Sequence, residues 1–120
     1  MYRPSYSAWF GKCGEELQHE VLANLKVLKT MGPNFGRPLV AHIQGSPHQN
    51  MKELRVQLKG DPVRILFVFD PDRRAVLLLG GATTEDERWY RRNVPLADQD
   101  FTLHLQEMHK NKKNEKEKKR

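Results

Sequence analysis

The sequence predicts a single α+β domain: an N-terminal helix, a three- to four-stranded antiparallel sheet, and a C-terminal helix. Its 120 residues suffice for one domain with one modest core. Apolar residues recur at helical spacing early in the chain, whereas three apolar runs in its middle are joined by very short connections. Such connections force neighbouring strands to be antiparallel, because a parallel crossover needs about a dozen residues.

The N-terminal part of the chain predicts one helix over residues 14–31. Its apolar residues fall on one face of that helix. They are Leu17, Val21, Leu25 and Leu28. Gly32-Pro33 then ends the helix, since glycine favours the C-terminal cap and proline cannot continue it. Residues 1–8 are predicted to be irregular, and residues 39–43 to form a short strand or a turn of helix.

The central part of the chain predicts an antiparallel meander. Its strands are expected at residues 51–57, 63–70 and 75–79. The second strand is nearly all apolar and is therefore expected to be central. The turn over residues 70–73 has proline at its second position, as tight turns prefer. Such a sheet can hold helices on one face and leave the other face open to a ligand.

The C-terminal part predicts two helical segments and a tail. Residues 85–93 are expected to be helical, and Pro95 suits the first turn of a new helix that runs to about His109. The predicted buried side of this helix contains Leu96, Phe101, Leu105 and Met108. Residues 110–120 include no apolar residue and are expected to be disordered, so the predicted domain is residues 1–109.

Most of the net charge of +6 lies in that tail. Residues 110–120 carry seven Lys or Arg and two Glu, a net +5, which leaves +1 for residues 1–109. The sequence pI therefore says little about the folded domain. The tail can attract RNA nonspecifically, although a solubilising role is the more common one for such a segment.

Several classes of protein are excluded by the sequence. No apolar run is long enough for a transmembrane helix or for the core of a secretion signal. The single cysteine, Cys13, cannot form an internal disulfide, and these features together predict a soluble cytoplasmic protein. Nucleotide-binding glycine motifs are absent and the histidines lack metal-ligand spacing, so neither a cofactor nor a metal ion is expected.

The strongest functional signal is a predicted hairpin with basic residues along both arms. These residues are Lys52, Arg55, Lys59 and Arg64. A solvated sheet face is the more common origin of such a pattern. Arg64 differs because it opens an apolar strand, where a buried arginine usually has a partner. As a functional site, these cations would clamp an RNA phosphate and stabilise the charge that develops on it during cleavage.

A second basic group surrounds two aromatic residues later in the chain. Arg88, Arg91 and Arg92 flank Trp89 and Tyr90. The aromatic residues fit the core of a short helix. Alternatively, one of them stacks on a base while the arginines hold phosphates. The phenol of Tyr90 is also a candidate proton donor or acceptor.

The histidines and the aspartates of the 70–73 turn are weaker candidates. His48 shortly precedes the basic strand and is a candidate RNA contact. His104 and His109 are expected on the surface and at the end of the C-terminal helix, respectively. Asp70 and Asp72 fit ordinary turn chemistry better than a metal site.

Several short motifs follow one another in a characteristic order. They include Gly36-Arg37-Pro38-Leu39-Val40, Asn50-Met51-Lys52-Glu53-Leu54-Arg55, Arg64-Ile65-Leu66-Phe67, Phe69-Asp70-Pro71, Arg73-Arg74-Ala75, Trp89-Tyr90 and His104-Leu105. This order resembles that of HigB-type toxins of the RelE superfamily, in the phage-derived group, over roughly residues 9–108. The combination of KELR with the later R-[IV]-L-F-x-F-D-P pattern is specific.

The resemblance implies a RelE-like fold and a ribosome-associated endoribonuclease that cleaves mRNA without a metal ion. Such toxins belong to type II toxin–antitoxin systems. Their helix-turn-helix antitoxin would link this chain to DNA only indirectly. In the implied reaction, the 2′-hydroxyl of the messenger attacks the neighbouring phosphate. Arg64 corresponds to the transition-state arginine of the superfamily, and Tyr90 is a looser counterpart of its C-terminal tyrosine. Lys52 and Arg55 correspond to basic residues of the preceding strand.

Two departures from the family pattern keep other hypotheses open. Only eight residues precede Trp9, so the N-terminal strand is expected to be truncated, with a sheet edge exposed. Gly81-Ala82-Thr83 stands where relatives commonly carry Gly-Asp-Lys, so Arg88 or Arg91 would have to replace the lysine. The alternative is a catalytically weak or inactive homologue that serves as an antitoxin-binding module. A plain RNA-binding domain is a third hypothesis, which the small charge of residues 1–109 disfavours.

Overall fold

The computed structural model describes residues 1–31, 40–43, 51–58, 61–82 and 86–118 of the chain. The described elements are α1 (Pro4–Lys12), α2 (Glu15–Met31), β1 (Val40–His42), β2 (Lys52–Leu58), β3 (Asp61–Phe69), β4 (Ala75–Ala82) and α3 (Asp86–Lys118). The strands form one antiparallel sheet in the order β1-β2-β3-β4. The predicted α+β class is confirmed.

Helices cover both faces of the sheet. Side chains alternate along β3, so Ile65 and Phe67 pack toward α1 and α2, while Leu66 and Val68 pack toward α3. All four side chains are buried. A strand buried on both faces needs apolar residues at successive positions, which explains the apolar run in β3. The sheet therefore does not leave one whole face open to a ligand, which the sequence had allowed.

Two adjacent glycines in β4 let a tryptophan approach each face of the sheet. A Cβ atom on Gly80 would lie 2.4 Å from Cε3 of Trp9 in α1. A Cβ atom on Gly81 would lie 2.5 Å from Nε1 of Trp89 in α3. Contacts this short are not tolerated, so a larger residue at either position would displace a ring or the strand. The glycine pair therefore allows both helical layers to pack closely on β4.

The first residues of the chain pair with the edge of β4 and then enter α1. Tyr2 forms a single parallel bridge to Leu77. The N–H of Arg3 donates to the carbonyl of Leu77 at 2.8 Å, and the N–H of Leu77 donates to the carbonyl of Met1 at 3.0 Å. Helix α1 begins at Pro4, where a missing N–H is tolerated in the first turn. The prediction that residues 1–8 are irregular is therefore wrong from Pro4 onward. The N-terminal strand, which was expected to be truncated, is represented by the single bridge between Tyr2 and Leu77.

Arg3 also connects this N-terminal segment to α3. Its Nε donates to Oδ1 of Asp100 at 2.9 Å, and its Nη1 donates to Oε2 of Glu107 at 2.8 Å. The two carboxylates are about two helical turns apart and therefore lie on one face of α3. The side chain of Arg3 is only 13% exposed, so this contact packs the start of the chain against the helix as well as pairing charges.

Helix α3 is continuous through Pro95, which corrects the prediction that a separate helix begins there. The ring removes one backbone donor from the helix interior. Buried residues on both sides of the proline compensate, because they pack in one apolar cluster against the same face of the sheet. These residues are Trp89, Val94, Ala97 and Phe101.

The end of α3 also differs from the prediction. The helix continues through residues 110–118, where disorder was expected. Lysine and glutamate are good helix formers, and a helix already nucleated by packing is extended easily. Nζ of Lys112 lies 3.7 Å from Oδ1 of Asp72, so this part of the helix contacts the β3–β4 turn. His109 therefore lies inside the helix. Leu96, which was predicted to be buried, is 56% exposed, because the buried face of α3 contains Ala97 instead.

We expect Gly80→Ala to lower the free energy of unfolding by about 1–3 kcal/mol, because the added methyl group would overlap Trp9. Urea denaturation measures the change. Gly11→Ala is the matched control, since a Cβ atom at Gly11 meets nothing within 4 Å and alanine is favoured over glycine in a helix. Wild-type stability in the Gly80→Ala variant would contradict the role given to the glycine pair.

Candidate functional site

The pairing of β2 with β3 places three charged residues on the α3 face of the sheet. Arg55 lies opposite Arg64, and Glu53 lies opposite Leu66. Leu66 belongs to the cluster that packs against α3, and residues two positions apart on a strand share a face. The three charged side chains therefore face α3, which contributes Tyr90 from near its start.

Glu53 is the centre of a hydrogen-bonded network that joins β2, β3 and α3. Its side chain is only 4% exposed. The hydroxyl of Tyr90 donates to Oε2 of Glu53, and Nε of Arg55 donates to Oε1 at 3.1 Å. Nη1 of Arg64 donates to the hydroxyl oxygen of Tyr90, and Nε of Arg64 lies 4.0 Å from Oε2 of Glu53. Two guanidinium groups thus compensate a carboxylate whose burial alone would be costly.

The surroundings of Tyr90 keep its phenol protonated. Burial, followed by the hydrogen bond to Glu53 and the charge of that carboxylate, raises the pKa of Tyr90 to about 12, although Arg64 acts in the opposite direction. The guanidinium carbon of Arg64 also lies 5.4 Å from the centre of the Tyr90 ring, within the range of a cation–π contact. The phenol is therefore fixed in place and neutral at physiological pH.

Lys52 lies on the opposite face of the sheet from this network. It pairs with Phe67, which packs toward α1 and α2. Its Nζ lies 5.6 Å from the centre of the Phe69 ring. Lys52 and Arg55 are separated by an odd number of positions, so alternation along the strand puts them on opposite faces. The structure brings the other three predicted catalytic residues together and separates Lys52 from them.

Glu53 was not among the predicted site residues, although it belongs to the KELR motif. A signal was available, because Glu53 and Arg55 are two positions apart on a predicted strand and must share a face. The burial of Glu53, however, depends on α3 covering that face. The local sequence does not contain this information.

The predicted RNA contacts outside the network are partly described. Three exposed arginines lie on the first turns of α3: Arg88, Arg91 and Arg92. Trp89 among them is 7% exposed, which makes it a core residue and not a platform for a base. Lys59 and His48 lie outside the described residues, as does the predicted helix end at Gly32-Pro33.

A second buried network lies at the other end of β3. Oδ1 of Asp70 accepts hydrogen bonds from the N–H groups of Asp72 and Arg74, at 2.9 and 3.0 Å. Oδ2 of Asp70 lies 3.2 Å from Nε2 of His104. His104 is 4% exposed and stacks on Phe101. The prediction of a surface His104 is wrong, because α3 turns this side chain toward the β3–β4 turn; the turn chemistry predicted for Asp70 is confirmed.

The described residues contain neither a metal-binding cluster nor a membrane-spanning helix. No group of three or more His, Cys, Asp and Glu side chains within the described ranges could hold a metal ion. Among the helices that the structure describes, none is both long enough and apolar enough to cross a bilayer.

The chain matches the family described as phage-derived protein Gp49-like over residues 8–102. Two relatives from Mycobacterium tuberculosis are named as HigB toxins. HigB3 is 42% identical over 97 residues, which are 80% of this chain and 83% of the relative. HigB2 is 39% identical over 116 residues, which are 95% of this chain but only 58% of the relative. No solved structure matches the chain.

The Asp70 network links stability to pH. Burial alone would raise the pKa of Asp70, but the backbone N–H of Arg74, the side chain of His104 and the charge of Arg74 outweigh it and lower the pKa. The folded protein therefore binds a proton at Asp70 more weakly than the unfolded chain does. The resulting stabilisation is fully present above the unfolded pKa of about 3.9. It is lost as the pH falls through the lower folded value.

We expect Asp70→Asn to lower the free energy of unfolding at neutral pH by about 1–3 kcal/mol, because an amide cannot replace the charged acceptor of these hydrogen bonds. The difference from the wild type is expected to shrink below a pH of about 4, because Asp70 of the unfolded wild-type chain then binds a proton that the folded protein still excludes. Urea denaturation at a series of pH values measures both effects. Asp72→Asn, in the same turn but 46% exposed, is the control. A difference that stays constant with pH would contradict the assignment.

Proposed function

The chain belongs to the Gp49-like family of phage-derived proteins and is related to HigB-type toxins. From this premise, we propose that it is the toxin of a type II toxin–antitoxin system and cleaves mRNA on the ribosome. The proposed enzyme is a cytoplasmic endoribonuclease that requires no metal ion. The observation that supports the proposal most directly is the network that fixes Arg64 and Tyr90 beside Arg55.

Attack by the neighbouring 2′-hydroxyl explains why a fixed arginine suits this site. In-line attack on the phosphate produces a phosphorane with two negative charges. A guanidinium held in place stabilises that transition state more than it stabilises the singly charged phosphodiester. Arg64 is held in this way, with a side chain that is 17% exposed and an N–H that donates to Tyr90. Arg55, 42% exposed on the same face, is available to hold an adjacent phosphate.

The three exposed arginines at the start of α3 extend this cationic surface. Their contacts with phosphates would position the RNA without reading its sequence. The ribosome would contribute orientation, because a messenger held in one conformation loses less entropy on reaching the transition state. The toxin would therefore not need a large positive charge of its own to bind and orient the messenger.

The toxin names of the relatives imply an antitoxin partner for this chain. We propose that this partner is a helix-turn-helix protein that inhibits the toxin and binds DNA. The toxin itself would then reach DNA only through the antitoxin, and mRNA would be its direct nucleic-acid partner.

A catalytically weak or inactive homologue that serves as an antitoxin-binding module is the second candidate. Two observations favour it. Glu53 neutralises part of the positive charge of Arg55 and Arg64. Lys52 lies on the other face of the sheet and adds no charge to the network.

We expect Arg64→Ala and Arg64→Lys to abolish growth arrest on induction in a bacterial host. Loss of one transition-state donor slows cleavage by about 100- to 1,000-fold. Lysine keeps the charge but lacks the planar fork of donors, so it tests geometry separately from charge. Growth and messenger integrity are measured together. Lys26→Ala, which removes an exposed charge from α2, is the control and is expected to remain toxic.

Two outcomes of that experiment would change the conclusion. Continued growth arrest by a folded Arg64→Ala variant would refute the role of this arginine. Normal growth with soluble, folded wild-type protein would favour the antitoxin-binding module, and co-purification with the antitoxin would then show whether binding persists.

The separation of Lys52 from the network gives a second prediction. Arg55→Ala is expected to make the negative slope of log affinity against log salt shallower by about 0.7, the contribution of one phosphate contact on a single strand. Lys52→Ala is expected to leave this slope unchanged, because Lys52 faces α1 and α2. Fluorescence anisotropy with a 2′-deoxy messenger that cannot be cleaved measures both slopes. Equal reductions in the two variants would contradict the assignment of RNA to the α3 face.

A further inference from the structure

We propose that Tyr90 and Glu53 form a proton relay that serves as the base of the cleavage reaction. In this relay, the hydroxyl of Tyr90 takes the proton of the attacking 2′-hydroxyl while its own proton passes to Glu53. The inference rests on the proposed ribonuclease function and assigns a task to Glu53, which was not among the predicted site residues.

The hydrogen bonds of Tyr90 leave room for this transfer. The single hydrogen of its hydroxyl is donated to Oε2 of Glu53, and its oxygen accepts from Nη1 of Arg64. A hydroxyl oxygen can accept two hydrogen bonds. With one position taken by Arg64, the second can accept the 2′-hydroxyl of the nucleotide whose phosphate is bound by that arginine. The attacking group and the stabilising cation are thereby brought to the same place.

Tyr90 is a poor base without Glu53. A pKa of about 12 means that very little phenolate exists at neutral pH. In a concerted relay the phenol gains one proton and loses another, so it never carries a net charge. The carboxylate behind it is the final proton acceptor. The charged or titratable groups that the structure places around Glu53 are Arg55 on β2, Arg64 on β3 and Tyr90 on α3.

Other described side chains are less well placed for this task. Lys52 faces the opposite side of the sheet. His104 is buried at the other end of β3, where it contacts Asp70. Glu53 is therefore the carboxylate that the described structure places against Tyr90.

The proposed step moves two protons and replaces one bond to phosphorus. The O–H bond of the 2′-hydroxyl breaks, its proton moves to Tyr90, and the proton of Tyr90 moves to Glu53. The 2′-oxygen forms a bond to phosphorus, and the bond from phosphorus to the 5′-oxygen breaks. Water supplies the proton of the departing 5′-hydroxyl, and the product is a 2′,3′-cyclic phosphate. Glu53 then releases its proton to solvent, which restores the resting state.

The test measures single-turnover cleavage of a short ribosome-bound messenger across a range of pH. The proteins are the wild type, Glu53→Gln, Tyr90→Phe and Glu87→Gln, which removes an exposed carboxylate of α3 as the control. Glutamine keeps a hydrogen-bond acceptor for Tyr90 but cannot take the proton. Phenylalanine keeps the ring and leaves Glu53 in place, so it tests the relay even where Glu53→Gln fails to fold. Binding of a 2′-deoxy messenger is measured for every variant.

We expect Glu53→Gln and Tyr90→Phe to cleave about 100-fold more slowly than the wild type or worse, the usual loss on removal of a general base. Binding of the 2′-deoxy messenger is expected to be unchanged. The dependence of the cleavage rate on pH is expected to differ between the wild type and Glu53→Gln, because glutamine cannot take the proton. A purely structural role would lower the rate without changing the pH profile.

A second messenger, with sulfur in place of the bridging 5′-oxygen, separates base from acid. Thiolate leaves without protonation, so a defect in the base persists with this substrate and a defect in the acid disappears. Persistence of the Glu53→Gln defect supports the relay. Recovery to the wild-type rate, or a wild-type pH profile in Glu53→Gln, would overturn it while leaving the ribonuclease function intact. Failure of the wild-type protein to cleave either messenger would overturn the proposed function and the relay together.

Discussion

The burial of the Glu53 carboxylate beneath α3 is the constraint on which the rest of the site depends. A charge removed from water is costly unless donors and opposite charges surround it. Glu53 obtains these from three elements: Arg55 from β2, Arg64 from β3 and Tyr90 from α3. The elements must therefore come together as a unit. The bonds that compensate the buried charge are the same bonds that orient the groups proposed to meet a phosphate.

Coverage of the sheet on both faces explains where a site can form. Apolar side chains fill both sides of β3, and Gly80 and Gly81 admit a tryptophan on each side of β4. The polar side chains of the candidate site lie on the α3 face of the sheet, near the start of α3. There, Arg55 remains 42% exposed, so the network reaches solvent. Successive side chains of β2 point to opposite faces of the sheet, so only alternate residues of this strand can belong to the site. Lys52 and Arg55 are therefore on opposite faces, although both belong to the same short motif.

Local pattern was sufficient for most of the fold and for part of the site. The apolar run at residues 63–70 and the turn at Asp70 correctly predicted β3 and its connection to β4, and the family resemblance is confirmed by the Gp49-like match. The errors in the site involve long-range packing. Glu53 and Tyr90 are 37 residues apart, and Asp70 and His104 are 34 apart. No local period reveals such contacts, because they depend on where α3 crosses the sheet.

The chemical identity of the cleaved ends tests the central claim most directly. Purified wild-type protein is incubated with a ribosome-bound messenger, and the termini of the fragments are determined by mass spectrometry. Attack by the 2′-hydroxyl predicts fragments that end in a 2′,3′-cyclic phosphate and fragments that begin with a 5′-hydroxyl. These fragments are expected from the wild type and not from Arg64→Lys. Fragments with 5′-phosphate ends, or a messenger left intact by folded wild-type protein, would contradict the account.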